Sequence, residues 1–307
     1  MKVYENITEL IGNTPLVRIS KRFNIGNADI LAKLECFNPS NSVKDRPAKA
    51  MLQAALNEGL INERTIIIEP TSGNMGIGLA MCAAQMGLKI ILTMPESMSI
   101  ERRKMLKGYG AQLVLTPASL GMQGAVDKAK ELAKLYPNSF IPSQFENPHN
   151  PSIHECTTAE EIWKDTDSKI DILVGGFGTG GTLSGAGKRL KELKPDVKVV
   201  AVEPLESPLI TEGKAGPHLI QGIGANFVPE NLHKEYIDEF MTISGEKAIE
   251  TAKELAKKEG ILTGISSGAA MEAALNLSIL KENEGKTIVV ILPDFGERYI
   301  STKLFEE

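Results

Sequence analysis

Cysteine is scarce. Cys36, Cys82 and Cys156 are odd in number and far apart, which excludes a disulfide framework, and none belongs to a Cys-x-x-Cys pair for metal or redox work. The four histidines (His149, His154, His218, His233) lack HExxH spacing, so no metal centre is expected. Long apolar runs are missing too. None approaches the roughly 20 residues that span a bilayer, and the opening Met1-Lys2-Val3-Tyr4-Glu5-Asn6 carries no secretory segment. A cytoplasmic protein with no membrane contact is the expectation. Nor is there a surplus of positive charge: the formal net charge of -5 gives no footprint for nucleic acid. Repeats of a solenoid are absent.

What is present is an alternation of strand-like and helix-like segments, the pattern of parallel sheets covered by helices. Extended segments are expected at 15–19 and 30–34, then strands at 65–68, 89–94 and 112–116, each followed by a helix. Three prolines within 142–151 interrupt the alternation and read as a crossing between domains. Beyond it come a helix ending near Trp163, a strand at 170–174, a glycine-rich turn, a helix holding Leu183 and Leu190, and a strand at 197–202. An irregular polar stretch, 203–229, follows. Helices at 247–259 and from about Gly268, then a strand at 287–292, complete the pattern. The expected division is a smaller domain, 36–148, and a larger one, 149–307, with 1–35 packing largely on the larger.

Chemistry concentrates in three places. Asn38-Pro39-Ser40-Asn41-Ser42-Val43-Lys44-Asp45-Arg46-Pro47 opens as a loop and ends as the first turn of a helix, where proline is tolerated. A solitary lysine is usually solvated; one desolvated at such a junction loses its proton readily and forms a Schiff base with a carbonyl compound. The turn Gly175-Gly176-Phe177-Gly178-Thr179-Gly180-Gly181-Thr182 follows a strand and opens a helix. Its glycines admit a phosphate close to the backbone, the helix N-terminus favours the anion, and two threonines add hydroxyls. Gly176-x-Gly178-x-x-Gly181 also satisfies the dinucleotide fingerprint, with Glu203 ending the next strand near where a ribose-binding acid stands, so an NAD-dependent dehydrogenase is a rival. That rival leaves Lys44 and Thr71-Ser72-Gly73-Asn74, at another helix N-terminus, without a task. Pyridoxal phosphate would use all three: Lys44 would form the imine, Asn74 would reach the ring hydroxyl, and 178–182 would hold the phosphate. Thr71 and Ser72 then suit a substrate carboxylate, although capping alone accounts for a single Ser or Thr.

Ordered motifs along nearly the whole chain carry a resemblance: Ile11-Gly12-Asn13-Thr14-Pro15-Leu16, Ser42-Val43-Lys44-Asp45-Arg46, Pro70-Thr71-Ser72-Gly73-Asn74, Gln144-Phe145, Gly178-Thr179-Gly180-Gly181-Thr182, Gly222-Ile223-Gly224-Ala225, Gly264-Ile265-Ser266-Ser267-Gly268-Ala269 and Gly296-Glu297-Arg298-Tyr299. The chain resembles the cysteine synthase (O-acetylserine sulfhydrylase) and cystathionine β-synthase family of fold-type II pyridoxal-phosphate enzymes. The resemblance implies an α/β fold of two open, twisted, mostly parallel sheets flanked by helices, with the cofactor in the cleft between domains. It implies that Lys44 is the Schiff-base lysine and acid/base catalyst, that Asn74, Gly178, Thr179, Gly180, Gly181, Thr182, Ser266 and Asp294 bind the cofactor, and that Thr71, Ser72, Gly73, Asn74, Met75, Gln144, Gly222, Ile223 and Gly224 bind substrate. The implied reaction is β-replacement, cysteine from O-acetyl-L-serine and sulfide. The alternatives are a cystathionine-forming or cysteine-degrading, sulfide-releasing enzyme, and, more remotely, the dehydrogenase. A homodimer is implied; a serine acetyltransferase partner is left open.

Four departures from the family pattern stand out. Met75 replaces a threonine, Ala159-Glu160 replaces Gly-Pro, and Asn226 replaces a glycine. Asp294 occupies the usual place of a serine against the pyridine nitrogen, where a carboxylate favours a protonated ring and a stronger electron sink.

Overall fold

Runs of β-branched and aliphatic residues, buried on both faces, make the central strands. The computed structural model describes residues 3–71 and 73–306. Its strands are β1 (Leu16–Arg18), β2 (Asp29–Leu34), β3 (Ile66–Pro70), β4 (Lys89–Pro95), β5 (Gln112–Thr116), β6 (Ser139–Phe140), β7 (Ile172–Gly176), β8 (Lys198–Pro204), β9 (Glu239–Ile243) and β10 (Thr287–Leu292). The α-helices are α1 (Asp45–Asn57), α2 (Asn74–Gln85), α3 (Ile100–Gly108), α4 (Gly121–Leu135), α5 (His149–Ile153), α6 (Ala159–Asp165), α7 (Gly181–Leu193), α8 (Leu209–Glu212), α9 (Gly245–Glu259) and α10 (Ile265–Ser278). A π-helical turn, His154–Thr158, joins α5 to α6.

The chain divides into two units, Met1–Ile11 with Lys44–His149, and Gly12–Val43 with Asn150–Glu307. The division falls elsewhere than expected. Residues 36–43 group with the larger unit because Ser42 bridges Asp294, the Val43 N–H donates to the Pro293 carbonyl at 2.8 Å, and Arg298 donates to the Ser40 carbonyl. The turn Ile7–Leu10 groups with the smaller unit, where Lys49 Nζ donates to the Thr8 carbonyl at 2.9 Å.

In the smaller unit the sheet runs β5-β4-β3-β6, all parallel. Ile67, Leu92 and Met94 pack on one face with Met51, Leu52, Ile77 and Leu79 from α1 and α2; Ile68 and Ile91 pack on the other with Ala129 and Leu132 of α4. Each large aliphatic side chain buried there contributes about 2 kcal/mol. β6 has no sequence signature, being two residues that extend the sheet opposite Ile66 and Ile67.

The larger unit has a six-stranded sheet, β1-β2-β10-β7-β8-β9, in which only the β1–β2 pair is antiparallel among the pairings described. Val174, Val200 and Val290 face α9 and α10, while Leu173, Val199 and Val289 face α6 and α7. β9 was not expected between 203 and 287. It lies at the sheet edge, half-buried over most of its length, so it lacks the continuous apolar run that marks the inner strands.

Candidate active site

In the smaller unit, Lys44 is the N-cap of α1, accepting at its carbonyl from the Ala48 N–H at 3.0 Å. Asp45 occupies the first turn, where its charge complements the helix dipole, and Pro47 sits early enough to forfeit no intrahelical bond. Asn74 is the first residue of α2, with Gly73 as its N-cap. The two helix starts are held close by packing: a Cβ at Gly78 of α2 would stand 3.1 Å from the Lys44 carbonyl oxygen and 3.1 Å from Ala48 Cβ, too tight without a shift. Glycine at 78 therefore lets the helix carrying Asn74 lie against the start of the helix carrying Lys44.

Thr71 follows β3 directly. It is buried, its N–H donates to the Thr93 carbonyl at 3.1 Å, and its hydroxyl accepts the Gly73 N–H at 3.3 Å. A Cβ at Gly73 would meet nothing within 4 Å, so the backbone there faces open space. Ser72 lies outside the described residues. Met75 belongs to the apolar core, 2 % exposed, which commits its side chain to packing. Gln144 is buried on a turn held by a residue to which the sequence analysis assigned no role. Glu69, at the end of β3, accepts the N–H of Ser143 at 3.0 Å and of Gln144 at 3.3 Å. Burial pushes the Glu69 carboxyl up to about 7, against the lowering effect of those two N–H groups and with a smaller upward push from Glu146.

In the larger unit, the turn between β7 and α7 is shaped by what cannot be fitted beside it. A Cβ at Gly178 would collide with the Gly222 carbonyl oxygen. Gly180 has φ +84°, and a Cβ there would stand 2.7 Å from Leu232 Cα. Gly180 is also the N-cap of α7 and supplies no side-chain cap, so beyond Gly181 the amides of that helix's first turn lie at the glycine-rich turn. Thr179 Oγ1 accepts from Asn150 Nδ2 at 3.1 Å and from the Gly181 N–H at 3.4 Å; Thr182 Oγ1 lies 3.2 Å from His154 Nε2, whose Nδ1 lies 2.8 Å from Thr158 Oγ1. Asn150 and His154 thus brace the turn. Only the tertiary fold reveals them, since they lie some 30 residues upstream on the α5 side.

The segment Gly222–Gly224 lies on this turn, the Gly224 N–H donating to the Phe177 carbonyl at 3.3 Å. Ser266, in the first turn of α10, has its hydroxyl 3.9 Å from where a Gly222 Cβ would stand. Asp294, 1 % exposed just beyond β10, accepts the Tyr299 hydroxyl at 2.6 Å, while Thr263 Oγ1 donates to its carbonyl at 3.0 Å. Cys36 is nearby: burial chiefly, then the charges of Asp294 and Glu35, push its thiol up to about 11.

Two other departures have structural accounts. Asn226 adopts φ +63°, a left-handed conformation that asparagine tolerates better than most residues, and its Oδ1 accepts from Ser207 Oγ at 2.8 Å. Ala159 is fully buried at the start of α6, and Glu160 pairs with Arg189 of α7 at 2.6 Å. The dehydrogenase alternative fails on Glu203. Its carboxylate accepts the N–H groups of Ile210 and Thr211, each at 3.0 Å, and the Thr211 hydroxyl at 2.7 Å, so it caps α8 and is not presented as a ribose ligand.

A glycine-rich turn at the N-terminus of α7, just beyond the carboxyl end of β7, is the kind of place where α/β enzymes hold a phosphorylated cofactor. The chain belongs to the pyridoxal-phosphate dependent enzyme family, whose profile matches residues 7–294. It is 56% identical over 305 residues to cysteine synthase B of Campylobacter jejuni, spanning 99% of this chain and 100% of that one. Among solved structures it is similar to O-acetyl serine sulfhydrylase isoform 3 of Entamoeba histolytica, with TM-score 0.96 and 46% identity over 100% of this chain and 92% of that one. A hydrogen sulfide-producing enzyme of Fusobacterium nucleatum is also similar, with TM-score 0.93 and 45% identity over 97% of this chain and 100% of that one.

Among the described residues no helix is long and apolar enough to cross a membrane, and no group of three or more His, Cys, Asp or Glu side chains could hold a metal ion.

Proposed function

We propose that the protein makes L-cysteine from O-acetyl-L-serine and sulfide by pyridoxal-phosphate-dependent β-replacement. The observation that carries this is the end-to-end likeness to cysteine synthases together with an intact Lys44 and glycine cradle. Bound to the protein, pyridoxal phosphate supplies an electron sink for charge that develops at the substrate α-carbon. Gly178 to Thr182 and the amides at the start of α7 would hold its phosphate, Asn74 its ring hydroxyl and Lys44 its carbonyl carbon. Lys44 Nζ, once free, would accept the proton from the substrate α-carbon, with acetate leaving the β-carbon and sulfide adding there.

Thr71, Ser72, Gly73 and Gln144 gather the substrate carboxylate, with Gly222–Gly224 against the bound amino acid. Asp294, steered by Tyr299, serves the pyridine nitrogen. Ser266 completes the cofactor contacts. The protein acts in the cytoplasm as a homodimer.

Two measurements test this reading. Purified protein should be yellow, and borohydride should fix the cofactor irreversibly to Lys44, located by peptide mass. O-acetyl-L-serine with sulfide should then yield cysteine at a higher kcat/KM than homocysteine or cysteine offered in place of sulfide. The Fusobacterium likeness favours one second reading, cysteine breakdown with release of sulfide. If cysteine alone gives sulfide faster than the forward reaction runs, that reading replaces the first.

A further inference from the structure

Glu69 takes no part in the chemistry above, yet it is a carboxylate 2 % exposed in the centre of a parallel sheet's exit. Buried carboxylates are retained only where their oxygens are used. Each Glu69 oxygen receives one consecutive backbone N–H, Oε2 from Ser143 and Oε1 from Gln144. The turn they belong to is shaped to present those two amides side by side. Ser143 has φ +55°, a conformation uncommon outside glycine, and its carbonyl accepts the N–H groups of Glu146 at 3.0 Å and Asn147 at 2.9 Å. Asn147 Nδ2 closes the turn on the Pro142 carbonyl at 2.9 Å.

Glu69 is also two residues from Thr71 along the same strand exit, where β3 is fixed to β4 by the register Glu69↔Leu92 and Pro70↔Thr93. One rigid strand end therefore sets both the Thr71 backbone and the Gln144 backbone.

We infer that Glu69 is a positioning residue for substrate recognition: its carboxylate clamps the 143–147 turn so that Gln144 stands beside Thr71 at the spacing an amino-acid carboxylate requires. This rests on the reading of Thr71 and Gln144 as carboxylate ligands. A clamp of backbone amides restrains the whole residue, not one rotamer, so loosening it affects substrate binding before it affects proton transfer at Lys44. The neutral form of the Glu69 side chain is well tolerated at this depth, since burial already pushes its carboxyl towards neutrality.

The test compares Glu69→Gln, Gln144→Ala and the double variant as holoenzymes, measuring kcat and KM for O-acetyl-L-serine at saturating sulfide. Glutamine keeps the volume and one accepting oxygen but turns an NH2 group towards one of the two amides. Glu69→Gln should raise KM about tenfold with kcat within about twofold, the scale of one lost hydrogen bond. Adding Gln144→Ala should raise it little further, because the two changes remove one interaction. Glu69→Asp, which keeps the charge but withdraws it by a methylene, should also raise KM and serves if the glutamine variant does not fold. If Gln144→Ala raises KM while both Glu69 variants leave it unchanged, or if the Glu69 variants lower kcat and not KM, the positioning role is refuted and the carboxylate site stands. An unchanged KM in Gln144→Ala refutes the carboxylate reading of Gln144 and the clamp with it.

Discussion

Replacing Glu69 by glutamine should make the protein more stable at alkaline pH and remove part of its pH dependence. The carboxyl titrates near 4.5 in an unfolded chain and at about 7 in the fold. The folded state thus holds this proton more tightly than the unfolded state. Glu69 stabilises most below pH 4.5, and that stability is lost progressively as pH rises from 4.5 through about 7. At 1.36 kcal/mol per unit, the interval corresponds to about 3 kcal/mol. Glutamine carries no ionisation and escapes this loss. The two accepted N–H bonds oppose the effect, since glutamine satisfies one of them with its carbonyl oxygen and confronts the other with an NH2 group, at about 1 to 2 kcal/mol. Both variant and parent are to be unfolded in urea at several values between pH 5 and 8.5, followed by amide circular dichroism. The stability difference, variant minus parent, should move in favour of glutamine by roughly 2 to 3 kcal/mol across that range. A difference that stays constant with pH would show that Glu69 is ionised throughout and that burial does not govern it. The gain in stability and the loss of substrate affinity expected of the same substitution would together mark Glu69 as a residue kept for function at the expense of the fold.

Lys44→Ala should fold and lose turnover by roughly a thousandfold or more, since it removes both the anchor and the base; rates by cysteine assay check it. Gly178→Ala should release cofactor on dialysis, seen as loss of visible absorbance, because the methyl group must displace the Gly222 carbonyl oxygen. Met75→Ala should lower stability by about 2 to 4 kcal/mol while leaving KM for O-acetyl-L-serine within about twofold, as expected of a core side chain. Asp294→Asn should shift the visible absorption maximum of the holoenzyme; an unchanged spectrum would show that its carboxyl does not face the ring.

The alternation of strands and helices was legible because inner parallel strands must be apolar on both faces, as in Ile66-Ile67-Ile68 and Thr287–Leu292, and because helices announce their apolar stripe. β6 and β9 escaped because an edge position or a length of two residues imposes no such pattern. Lys44, Asn74 and the 175–182 turn could be singled out since lysine, asparagine and clustered glycines at helix starts have few other reasons to recur together. Met75 shows the limit: the resemblance names it for the substrate loop, and only the fold shows that its side chain, about 100° round the helix from Asn74, packs in the core.

From the sequence alone came the cofactor and, through ordered motifs that resemble a family of known chemistry, the reaction class and the residues proposed for the site, because phosphate and carbonyl chemistry favour particular side chains at particular backbone junctions. The tertiary structure alone decided which residues brace those junctions. Asn150 and His154 against the glycine turn, Tyr299 on Asp294 and Glu69 beneath Gln144 are separated from, or silent beside, the groups they serve, and a long-range contact leaves no periodicity in the chain.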